Sequence, residues 1–249
     1  MKKLILALLL LVPEWGNAQN LFVMEDQVNT EEDRNVNVLI IKTTDDFEEA
    51  IDNYKKFAKD IYDLKVKKLN NSSYIIEEVD VAQLSVKRGD LKTYLYHTDT
   101  VNILAFSFLL GYDISLNSED YPQEMSEFKN FVIKYMEYHY EQYYADRIKE
   151  LDKLLDKSQK ELSQMDKEVS SLKKKVDSIE KKAGKETDEA KIRELQSERQ
   201  SLENDIQQLL NELPPLRDQV GENENAVFEM KKEMNSHLQA IAKLEAENE

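Results

Sequence analysis

The apolar positions change period along the chain. From Val36 to Ile41 ("VNVLII") they form a short β-branched run, the mark of a buried strand. Thr43-Thr44-Asp45-Asp46 then gives a helix N-terminal signal, with the acids favourable against the helix dipole. Phe47, Ile51, Tyr54, Ala58 and Ile61 follow at three- and four-residue steps and predict one apolar helix face. Beyond Leu64 turn-like clusters at Asn70-Asn71-Ser72-Ser73, Lys87-Arg88-Gly89-Asp90 and His97-Thr98-Asp99 separate "YIIEEVDVAQLSV", "LKTYLY" and "VNILAFSFLL". These read as an antiparallel β-meander whose last strand, 101–110, is the most buried. Ser126 is expected to cap the helix that carries Phe128, Phe131, Val132 and Tyr135.

From Ile148 the pattern becomes a heptad repeat. Ile148, Leu155, Leu162, Val169, Val176 and Ala183 fall at every seventh position, with Leu151, Ser158, Met165, Leu172 and Ile179 between them. A second series starts at Ile192 and runs through Arg199, Ile206, Leu213, Val220, Val227, Met234 and Ile241. It is two residues out of step with the first, whereas a stutter or stammer inserts four or three. The offset therefore predicts a turn, with Gly184 as C-terminal cap and Thr187 capping the return helix. The fold class is α+β: a small head with a β-meander packed on helices, then a long antiparallel coiled-coil hairpin.

With the tip near 186, Pro214 should face Ser158, the polar member of the outgoing seam. Met230 and Met234 should face 142 and 138, and the C-terminus should return to about residue 124. Pro214-Pro215 is expected to kink the return helix; a true turn there, giving three helices, is the rival, since the residue before a proline disfavours helix. The arm from 148 to 186 would measure roughly 55–60 Å at about 1.5 Å per residue. Polar seam residues Ser158, Arg199 and Asn223 set register or oligomer state, so hairpins could associate into homo-oligomers.

Composition sharpens this plan. Charged residues make up 34% of 249, with only 5 Gly and 4 Pro, which suits long helices. Residues 1–18 stand apart: Lys2-Lys3, the apolar run Leu4 to Val12, then Gly16-Asn17-Ala18. This resembles a bacterial Sec signal peptide cut between Ala18 and Gln19. The expected layout is signal peptide 1–18, linker 19–34, head 35–125 and hairpin stalk 126–249, its tip at 184–188. Cysteine is absent, so an exported chain must hold by packing alone. Loss of Lys2, Lys3 and Glu14 takes 34 basic and 50 acidic residues to 32 and 49, a net −17. Such an acidic chain is a poor partner for nucleic acid, and no later apolar run predicts an integral membrane segment.

Candidate chemistry is thin. "YMEYHYEQYYAD" (135–146) places Tyr138, Tyr140, Tyr143 and Tyr144 on one helix as a candidate interaction surface for a peptide or glycan. The alternative is a helix wrapped by the head and by the return helix, where Met230, Met234 and Phe228 would meet the tyrosines. His97, His139 and His237 are dispersed; His139 and His237 could approach across the hairpin, too few ligands for a metal. "RGD" at 88–90 suits a hairpin turn with Gly89 and Asp90 at the bend. Nothing spells a nucleophile elbow or phosphate loop, so no catalytic residue, metal or cofactor is expected. The expected role is an exported, non-enzymatic structural or adaptor protein whose hairpin is a spacer and protein-binding arm, periplasmic or secreted. Two alternatives are a ligand-binding head on a helical stalk and a periplasmic holdase. For the latter, the signal peptide, small β-containing body and helical arms resemble the Skp/OmpH chaperones in architecture. Here, however, the hairpin is C-terminal and the chain acidic.

Overall fold

The computed structural model describes residues 21–29, 35–43, 46–79, 87–97, 102–111 and 114–248. The predicted signal peptide and residues 80–86 of the strand stretch expected over 74–86 lie outside them. The class is α+β, as the sequence indicates. Six antiparallel strands are β1 (Met24–Val28), β2 (Val36–Thr43), β3 (Lys67–Lys68), β4 (Ser73–Val79), β5 (Gly89–His97) and β6 (Asn102–Leu109). Their order in the sheet is β1-β2-β6-β5-β4-β3. The meander runs from β3 to β6, and β6 then pairs with β2, Leu39 opposite Phe106. The helices are α1 (Phe47–Tyr62), α2 (Pro122–Ala183) and α3 (Glu189–Asn248). β1 is an edge strand inside the stretch expected to be a linker.

Two compact units result: residues 1–144 with 233–249, and residues 145–232. The sheet, α1, the first part of α2 and the last part of α3 thus belong to unit 1.

In unit 1 one sheet face meets α1 and α2 through aromatic rings. Phe106 lies 5.5 Å from Tyr54 and 5.6 Å from Tyr135, and Phe108 lies 6.0 Å from Phe128, centroid to centroid. Edge-on and tilted pairs of this kind add about 0.5–1.5 kcal/mol each to the burial itself. Asp46 caps α1 by accepting from the Glu48 amide at 3.0 Å. Asp63, at φ 56°, closes it with amide bonds from Asp63 to Lys59 and from Leu64 to Ala58. The buried face is Ala50, Ile51, Tyr54, Phe57 and Ala58; Ile61, expected on it, stands 56% exposed in the last turn. Phe57 does the work instead, 5.2 Å from Phe131 and 5.8 Å from Tyr135.

The other face of the sheet is apolar as well. Val36, Val38 and Ile40 of β2 cluster with Tyr94 and Ala105, and the partly buried residues packed against them, Val28, Tyr96, Ile103 and Leu109, are also on the sheet. This explains why β2 reads as a continuous apolar run and does not alternate.

Two local expectations change. Gly89 and Asp90 open β5 and do not form a bend; a Cβ on Gly89 would collide with the Leu109 carbonyl and the Phe108 ring. Asp90 braces an irregularity in β4, accepting from the Glu78 amide at 2.8 Å where Glu78 has φ 53°. Ser126 does not cap α2, which starts at Pro122. Proline suits a first helical position because its missing N–H has no partner there anyway.

Glu25 ties β1 to the approach to α2, accepting from Asn37 Nδ2 at 2.6 Å and from the Ser118 amide at 3.0 Å. Burial pushes its carboxyl up, but the bonds from Ser118 and Asn37 outweigh that and hold it below its ordinary 4.5. A depressed carboxyl stabilises the fold above its unfolded value, and that contribution is lost as pH falls through the folded one. Glu25→Gln should therefore destabilise at neutral pH and converge on the wild type as pH falls through the lowered value of the folded carboxyl, read by denaturant titration at each pH. In the same assay Phe57→Ala should cost about 3–5 kcal/mol, whereas Ile61→Ala should stay within about 0.5 kcal/mol.

Candidate functional site

The tyrosine-rich stretch of α2 does not form an open aromatic surface. Tyr140, Tyr143 and Tyr144 are buried at 5%, 7% and 1%, and only Tyr138 is half-exposed, donating to Asp60 at 3.3 Å. The candidate belt is core of unit 1. Its partner from α3 is His237, whose ring stacks on Tyr140 at 4.9 Å and whose Nδ1 lies 2.7 Å from the Tyr144 hydroxyl. On the neighbouring side Asn53 Nδ2 donates to His139 Nδ1 at 3.1 Å, and Tyr135 donates to the Ala50 carbonyl at 2.8 Å. A tyrosine ring is tolerated in a core when its polar tip is satisfied, and these bonds do that. Phe228, expected to arrive among the tyrosines, is 63% exposed in unit 2. Among the described residues no group of three His, Asp or Glu could hold a metal.

Unit 1 also has a cleft of about 250 Å³ bounded by Val23, Glu25, Ser118, Met125, Ser126 and Asn248. Ordinary ligand pockets run from about 300 to 1,000 Å³. Its walls bond mainly to one another: Ser118 to Glu25, and Asn248 to Ser126 and Asn130.

Unit 2 is the hairpin. α2 ends at Ala183 with Gly184 donating to the Glu180 carbonyl at 3.0 Å. Gly184 closes the helix without a left-handed backbone, which among the described glycines only Gly111 shows. Asp188, not Thr187, caps α3: its Oδ1 accepts from Ala190 N at 2.9 Å. Glu186 folds back to accept from the amides of Thr187 and Asp188, and these bonds hold its carboxyl below the ordinary value.

The register differs from the expected one. Glu180 meets Arg199 at 3.2 Å, Asp166 meets Arg217 at 3.6 Å, and Gln159 meets Glu224 at 3.1 Å. All three pairs straddle a point near residue 190, not 186. The connection itself occupies 184–188, as expected, so the facing pairs are offset from its centre. Displacing the midpoint of the pairs displaces the facing residue by twice as much. Ser158 consequently faces Asn223, whose Nδ2 donates to Ser158 Oγ at 3.1 Å, and not Pro214. Ser158 is 3% exposed and also donates to the carbonyls of Leu154 and Leu155. Two polar seam residues flagged separately by the sequence are thus one bonded pair. Arg199 leaves the seam for Glu180 and Glu203.

α3 carries Pro214 and Pro215 inside one continuous helix, so the three-helix alternative is not adopted. Leu213 before them is 5% exposed, while both prolines face solvent.

Beside the seam lies a groove of about 520 Å³ walled by Leu162, Ser163, Ser170 and Val220, with Asp166 and Lys167 at its rim. Comparison with known proteins yields no matching family model, no similar curated protein and no similar solved structure.

The Ser158–Asn223 bond contributes only about 0.5–1.5 kcal/mol net; its larger effect is on register. Asn223→Leu with Ser158→Ala should leave the hairpin as stable or more so, yet loosen its register. Spin labels at Gln159 and Glu224 should show one short distance in the wild type and added longer distances in the double variant. A single unchanged distance would deny the pair that role.

Proposed function

We propose that the protein is an exported structural or adaptor protein whose hairpin is its protein-binding arm. The observation that supports this is the hairpin: residues 145–232 form a unit of their own, given over to one two-helix seam with a polar pair in it. A seam built this way positions side chains on a rigid rod, and rigid helical faces are common platforms for partner helices. The charged outer positions keep such a rod in water, and the acidic balance of the chain disfavours anionic polymers as partners. Among the described residues no helix is long and apolar enough to cross a membrane.

A second reading, a holdase for unfolded chains, draws on the apolar residues that unit 2 leaves exposed, Leu154, Leu210 and Phe228 at 42%, 37% and 63%. The two readings part in one experiment. Photo-crosslinkers placed at Gln164 and Gln208 of the full chain in a Gram-negative host should trap one or two discrete partners. The trapping should vanish when Leu213→Asp and Val220→Asp disrupt the seam. A smear of many unfolded envelope proteins, with suppressed aggregation of an unfolded outer-membrane protein in vitro, would replace the adaptor reading by the chaperone one. No export of the chain, or trapping indifferent to the seam, would defeat both.

A further inference from the structure

We draw no further inference here: the strongest candidate, the groove of the hairpin unit walled by Leu162, Ser163, Ser170 and Val220 together with the exposed ring of Phe228, carries none, because nothing in the structure shows what covers it.

Discussion

Two antiparallel helices joined by a heptad seam can slide. An apolar seam offers nearly the same burial after a slip of seven residues, so something other than burial has to select one alignment. In the hairpin unit that selection falls on Ser158 and Asn223. Slipped by one heptad, the asparagine amide would face an aliphatic residue, either Leu151 or Met165, and would lose its partner in a partly buried place. An unpaired buried amide costs about 1–3 kcal/mol, more than the pair contributes when formed. The asymmetry is the point: the bond adds little stability and excludes the neighbours. Ser158 can be buried because its hydroxyl also reaches the carbonyls of its own helix, so neither partner is stranded.

Unit 1 uses the same two helices on different terms. There α2 is packed against a sheet and α1, and large rings replace the aliphatic seam. Rings fill space over longer reach than leucine, but each tyrosine brings a hydroxyl that needs a partner. His237, Ala50 and Asp60 supply partners to Tyr144, Tyr135 and Tyr138. These bonds tie Tyr135 to α1 and Tyr144 to the return helix, which restricts how both lie within that unit.

The sequence carries some of this plainly and some not at all. Heptads are legible because a period sustained over many turns survives local irregularity, and the two-residue offset between the series revealed the reversal. Register was not, because a heptad period is unchanged by a slip of seven residues and does not say which residues of the two helices face each other. Asp188, not Thr187, caps α3, which starts at 189, and the facing pairs are set along the seam by contacts such as Ser158 with Asn223. β1 was missed because "MEDQV" is polar, as an edge strand often is to discourage pairing with other chains. The tyrosines read as a surface or, more readily, as a wrapped core, and the rings that arrive from α1, the sheet and α3 are what bury them. Gly89 looked like a turn, although its real constraint is a neighbouring strand too close for a side chain.

The proline pair shows how a strong local cost can be carried without loss of phase. Pro214 and Pro215 deprive the carbonyls of Leu210 and Asn211 of their usual donors, and a mid-helix proline costs about 3 kcal/mol. Leu210 is 37% exposed and Asn211 is exposed, so water can reach the freed oxygens. Both prolines point away from the seam, while Leu213 and Val220 on either side of them are buried in it. No residue is inserted or deleted, so the apolar period continues across the prolines and the packing on α2 holds the helix through them. The interruption is thereby confined to the solvent side, on a return helix whose seam residues remain in step.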